Sequence, residues 1–89
     1  MKIKNGFILR QVSEAYVVVA VGEAAGDFNG MISLNESGAF LWKQLSEGCA
    51  DEKELVQKLL NEYEVSEELA AKDVHAFLER LRTANVLEA

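Results

Sequence analysis

Proline is missing from this chain, cysteine, histidine and tryptophan occur once each, and aromatic residues make up only 8% of the 89 positions. A lone cysteine, Cys49, excludes an intrachain disulfide, and with His75 as the lone histidine there is no thiolate or imidazole cluster to hold zinc. A reducing, cytoplasmic setting is the simplest fit to that cysteine usage. Positive charge is also scarce. Nine Lys and Arg against fifteen Asp and Glu give a formal net charge of −6, which argues against a phosphate-backbone partner, because such binding needs clustered cations that release counterions. Lys2, Lys4 and Arg10 near one end, and Arg80 and Arg82 near the other, are read as solvated charges. Long apolar runs are lacking as well. Ala15 to Val21 is too short to span a bilayer, and Arg10, Gln11 and Glu14 interrupt any signal-peptide core, so no membrane segment is expected.

What is present suits one small globular domain over residues 1–89. The apolar fraction is 49% and the charged fraction 27%, which disfavours disorder. A domain of this size buries only about 60–65% of the surface its unfolded chain exposes, so its stability is modest. No internal repeat or low-complexity linker divides it.

The organising stretch runs from Gly30 to Trp42, where strand-like spacing gives way to helical spacing. Before it, Phe7 to Val12 and Tyr16 to Val21 are β-branched runs separated by Ser13-Glu14, which predicts an antiparallel hairpin. Gly22 to Gly30, with three glycines, predicts a loop, and Met31 to Leu34 a third strand of the same sheet. A helix follows, with Asn35 as N-cap or, a residue or two earlier, a Ser33–Glu36 capping box; Gly48 is the expected C-cap. Asp51 with Glu54 resembles a second capping box, opening a helix whose Leu55, Val56, Leu59, Leu60 and Tyr63 share a face. Ser66 caps a third helix with a stripe of Ala70, Val74, Phe77, Leu78 and Leu81, and Lys72, Ala76, Glu79 and Thr83 opposite. Val86-Leu87 closes the core. The expected fold is α+β, a three-stranded antiparallel sheet followed by three helices, winged helix-turn-helix-like.

Catalytic signatures are missing. The glycines of the 22–30 loop lack the spacing and the Lys of a phosphate-binding loop, and there is no nucleophile elbow or metal-ligand set. Cys49 and His75 could in principle form a nucleophile–base pair, but a lone Cys beside a capping Gly and a His at the margin of an apolar stripe read more simply as structural and surface residues. The carboxylates crowd helix first turns, where the helix dipole accounts for them. No enzyme activity and no cofactor are expected. Phe40 and Trp42 sit at core spacing, whereas Phe28, in the loop, is a lid on the core or part of a binding surface.

The run Leu34-Asn35-Glu36-Ser37-Gly38-Ala39-Phe40-Leu41-Trp42, followed by Leu45, Glu47 and Gly48, resembles the strand-to-helix signature of the PqqD-like family. The segments Glu54-Leu55-Val56 to Tyr63, Val65, Asp73-Val74, Phe77-Leu78 and Leu81 are similar to it too. The resemblance implies a non-catalytic peptide chaperone of natural-product biosynthesis. Such a module binds the leader segment of a ribosomally made precursor peptide and presents it to a modifying enzyme, often a radical S-adenosylmethionine enzyme. It also implies that the leader adds to the third strand, at Met31, Ile32, Ser33 and Leu34, against a flank of the third helix. Asp73, Phe77 and Arg80 line one flank, the candidate carried forward; Ala71, His75 and Arg82 line the other, and spacing alone does not choose between them. Strand addition draws affinity from backbone hydrogen bonds, so it needs an open edge and no catalytic motif. Such an edge also invites self-pairing into a homodimer. The competing expectation is a winged-helix DNA-binding transcription factor, against which stand Glu67, Glu68, Asp73 and Glu79 on the third helix.

Overall fold

The structure, a computed structural model, describes residues 1–22 and 32–88. The loop residues 23–30, with Phe28, and Met31 of the expected third strand lie outside the described residues. After a two-residue strand β1 (Lys2–Ile3), strands β2 (Phe7–Val12) and β3 (Ala15–Ala20) form the expected hairpin, in register from Phe7↔Ala20 to Val12↔Ala15. Ser13, the first of its two loop residues, has φ 59°, the positive value that lets a two-residue turn follow the twist of its strands. Strand β3 begins one residue earlier than the β-branched run suggests, because Ala15 completes the pairing opposite Val12; Val21 leaves the ladder and donates its N–H to the Gly6 carbonyl at 2.7 Å. Strand β4 (Ile32–Leu34) pairs antiparallel to β3 through Tyr16↔Leu34, Val17↔Ser33 and Val18↔Ile32, giving the sheet order β2-β3-β4.

Three helices follow, α1 (Glu36–Glu47), α2 (Glu52–Glu62) and α3 (Glu67–Thr83), each entered through a side-chain cap. Asn35, not Ser33, caps α1, its Oδ1 accepting from the Gly38 N–H at 2.8 Å. Asp51 accepts from the Glu54 N–H at 2.9 Å, but the returning Glu54 carboxylate accepts from the Ala50 N–H and not from that of Asp51 itself, so the box closes one residue further back than its usual form. Ser66 Oγ accepts from the Leu69 N–H at 3.1 Å. Gly48 ends α1 with φ 97° and ψ 133°, a positive φ outside the left-handed helical region expected of it.

The end of α3 is a Schellman turn. Asn85 takes φ 60°, its N–H donates to the Arg82 carbonyl, and the Val86 N–H donates to that of Leu81, each at 3.0 Å. The turn delivers the chain into β5 (Leu87–Glu88), which pairs antiparallel with β1 through Lys2↔Glu88 and Ile3↔Leu87. This small second sheet is absent from the sequence-based expectation, since two-residue strands carry no periodicity. Backbone bonds in both directions join Met1 to Cys49, the terminal ammonium donating to the Cys49 carbonyl at 2.8 Å and the Cys49 N–H to the Met1 carbonyl at 3.0 Å.

The core is wholly apolar. Val18 of the sheet, Leu45 of α1, Leu55 of α2, and Val74, Leu78 and Leu81 of α3 are fully buried, as is Val86; no polar side chain among the described residues is buried. Helix α1 contacts β3 and β4 as well as α2, so it joins the sheet to the helical layer. Trp42 is buried on it, and Phe40 meets Tyr63, the C-cap of α2, edge to face, with ring centroids 5.7 Å apart and planes at 81°. The observed fold is the expected α+β class, a three-stranded antiparallel sheet preceding three helices.

Candidate functional site

Strand β4 is short, but its burial alternates cleanly. Ile32 and Leu34 point into the core and Ser33 is exposed, which fixes the face of the sheet because side chains alternate along a strand. Its inner edge is occupied by β3, whereas its outer edge pairs with no strand among the described residues. Alternate N–H and C=O groups of β4 therefore face outward without a ladder partner.

Helix α3 lies across from that edge, and a groove of about 480 Å³ separates them. Its apolar lining comes from Leu34, Leu41, Leu59 and Phe77, so β4 and all three helices contribute. At one end α1 begins close against the strand. A Cβ on Gly38 would sit 3.1 Å from Asn35 Oδ1 and 3.3 Å from Leu34 Cβ, tighter than ordinary contact. Along α3 the wall is formed by Asp73, Ala76, Phe77 and Arg80. A second hollow continues past Ile32 toward Glu79, Thr83 and Ala84, sharing Ala76 and Arg80 with the first. The hollow that Leu34 lines reaches back to Asp73 and the one that Ile32 lines runs on to Thr83, so β4 and α3 run in opposite directions.

The structure brings together six of the residues singled out in the sequence. Ile32, Ser33 and Leu34 form the strand, and Asp73, Phe77 and Arg80 face the groove; the seventh, Met31, lies outside the described residues. Of the other flank of α3, Ala71 lines a shallow hollow with Glu52 and Lys53, Arg82 lines another with Met1 and Leu87, and neither reaches β4. Asn35, Ser37, Gly38, Leu41, Leu59 and Ala76 also line the groove but were not anticipated. Ala76, Glu79 and Thr83, expected on the face opposite the stripe, turn out to border it. A helical wheel divides core from solvent, and a groove at the boundary draws from both sides.

The charged side chains of the helices differ in their pairing. Arg82 and Glu79 form an ion pair at 2.7 Å, Lys58 lies 4.0 Å from Glu54, and His75 Nδ1 lies 3.5 Å from Glu52. Asp73 and Arg80 have no side-chain hydrogen bond or ion pair with any described residue. Cys49 is buried with its Sγ 3.8 Å from the Gln44 carbonyl. Burial, then the nearby Glu54 carboxylate, pushes its thiol above the ordinary range. His75 is exposed and faces Glu52, so no contact joins the two as nucleophile and base. Among the described residues, no group of three or more His, Cys, Asp and Glu is placed to hold a metal ion, and no helix is long and apolar enough to cross a membrane.

A small antiparallel sheet followed by three helices, with a strand edge that is unpaired among the described residues facing the last helix, defines an α+β module whose prominent feature is a groove. The chain belongs to the PqqD family, since the family described as coenzyme PQQ synthesis protein D (PqqD) matches residues 15–87. Two solved structures are similar over nearly their whole length. One, described as TbiB1 in complex with the TbiA(beta) leader peptide, is 24% identical, with a TM-score of 0.76 over 100% of this chain and 96% of that one. The other, lasso peptide synthetase B1 complexed with the leader peptide, is 19% identical, with a TM-score of 0.73 over 99% of this chain and 96% of that one. No curated protein matches the chain by sequence.

Proposed function

We propose that this protein is a non-catalytic module, spanning residues 1–89, that binds the leader segment of a ribosomally made precursor peptide by strand addition to β4. The observation that carries the proposal is the outer edge of β4, unpaired among the described residues and set beside a groove lined by Leu34, Leu41, Leu59 and Phe77. An extended peptide entering there would satisfy the outward backbone groups of β4 while its alternate side chains face the apolar lining. Membership of the PqqD family supports the reading, as does likeness to two proteins whose structures are described with leader peptides. Met31, Ile32, Ser33 and Leu34 supply the pairing strand, and Asp73, Phe77 and Arg80 the facing wall. The bound peptide is presented to a modifying enzyme, in this proposal a radical S-adenosylmethionine enzyme of the cytoplasm.

Titration of the isotopically labelled protein with synthetic leader segments of candidate precursor peptides tests the site. The amides of 32–34 and of the Asp73–Arg80 flank shift, and N-methylation of alternate peptide residues abolishes the effect in one phase and spares it in the other. Shifts confined to Ala71, His75 and Arg82, or insensitivity to N-methylation in both phases, would overturn strand addition at β4.

The unpaired edge also supports a homodimer in the absence of peptide. Of the two outer edges, β2 carries the exposed cation Arg10, a charge that discourages edge-to-edge pairing, whereas the exposed residue of β4 is the neutral Ser33. Self-pairing is therefore assigned to β4.

A further inference from the structure

We infer that Asp73 and Arg80 read the order of charges along the bound peptide, selecting segments in which a basic residue precedes, and an acidic residue follows, a central apolar one. The inference rests on strand addition at β4 and adds to it a direction and a class of sequence.

Both residues line the groove from α3, one on each side of Phe77 in sequence. Helix geometry accounts for neither as a structural device. Asp73 lies in the interior of α3, where the dipole offers a carboxylate nothing; Arg80 lies in the last turn, where the dipole favours a cation but supplies no acceptor. Neither side chain has a partner among the described residues, whereas three other charged or titratable side chains of the same helix do. His75 faces Glu52 and Arg82 pairs with Glu79. The Glu79 carboxylate, which also borders the groove, is thus offset by Arg82, and Arg80 is left to set the sign of its end. At the other end Asp73 shares the groove with the start of α1, where the Gly38 amide is already met by Asn35 and Glu36 complements the first turn.

Distance and direction then fix the pattern. Seven residues of helix rise about 10.5 Å, and residues i and i+4 of an extended strand lie about 13 Å apart on one face. Lys, Arg and Glu side chains span the difference, so one charged position meets each of Asp73 and Arg80 while residue i+2 faces Phe77. The sheet is antiparallel throughout, and an antiparallel added strand continues it with the more stable pairing. Such a strand begins beside Leu34 and Asp73 and ends beside Ile32 and Arg80, because β4 and α3 run oppositely. The cation therefore comes first and the anion four residues later.

Two synthetic heptapeptides of identical composition test this. Both are threonine with leucine at the centre, and lysine and glutamate occupy the second and sixth positions in one order or the other. Binding is followed by amide shifts of 32–34 in the full chain at low salt. The lysine-first peptide binds about tenfold more tightly, the product of two attractions gained and two repulsions avoided at the strength of exposed ion pairs. The preference shrinks as salt is raised. The double variant Asp73→Lys, Arg80→Glu reverses it, an outcome that loss of folding cannot mimic. Equal binding of the two orders, or a preference the double variant leaves unchanged, would overturn the charge reading while strand addition stands. Failure of both peptides to shift 32–34 would sink strand addition and the charge reading with it.

Discussion

Cys49 illustrates how position, more than residue type, decides chemistry. A thiol at an exposed loop would titrate and react freely, but this one is buried just past the C-cap of α1, where its backbone is bonded to Met1 in both directions. Desolvation and the Glu54 carboxylate both disfavour the thiolate, so its pKa lies above its unfolded value. The neutral form binds its proton more tightly in the folded state. This contribution to stability is complete below the unfolded pKa and is lost as pH rises through the folded one, which places the effect in the alkaline range. In the native protein at pH 8, a thiol-labelling reagent reacts with Cys49 at least tenfold more slowly than in denaturant. The Cys49→Ala variant loses less stability than the parent between pH 8 and pH 10, as measured by urea unfolding. Labelling at equal rates in the two states would show that the turn opens freely.

Among the elements described, α3 is the longest, and its end shows what the chain must do to close the fold. Asn85 holds a left-handed conformation so that Val86 turns inward and Leu87 reaches β1, and its Oδ1 accepts from Lys4 Nζ at 2.7 Å. A β-branched residue resists that conformation, so Asn85→Val costs about 1–2 kcal/mol and loosens both Val86 and the β1–β5 pair. Chemical denaturation gives the energy, and amide exchange at Lys4 and Val86, which share a hydrogen bond at 2.9 Å, shows where it is lost. Asn85→Gly, by contrast, keeps the turn. The stripe of α3 was legible in its spacing because five buried residues recur along one face. The caps Asn35, Asp51 and Ser66 were legible because short polar side chains precede each periodic run. The β1–β5 pair was not, since its partners lie at opposite ends of the chain and each strand is two residues long. Of the groove, the strand was legible in its residues, whereas its role as the pairing edge and the two candidate flanks of α3 came from family resemblance. Which flank faces β4 depends on the rotation of α3 about its axis, a tertiary fact. Leu59 and Leu41 read only as core residues, since nothing local records that part of a core face stays open.

At the scale of the whole molecule, the proposed function has the same β4 edge serve a peptide and, in its absence, a second copy. The two uses exclude one another, because the outward backbone groups of three residues can complete only one ladder. Peptide binding is then coupled to dissociation of the dimer, and the apparent affinity is the intrinsic one reduced by the fraction of chains with a free edge. That fraction falls as the protein is concentrated. Sedimentation of the peptide-free protein across a hundredfold range of concentration shows a monomer–dimer equilibrium, and saturating leader peptide converts it to a complex of one chain with one peptide. The apparent dissociation constant rises with protein concentration on the dimer side of that equilibrium. Ser33→Lys, which places a cation on the edge as Arg10 does on β2, shifts the peptide-free protein to monomer. A dimer that survives saturating peptide would assign self-association to another surface, and a monomer at every concentration would remove the competition altogether.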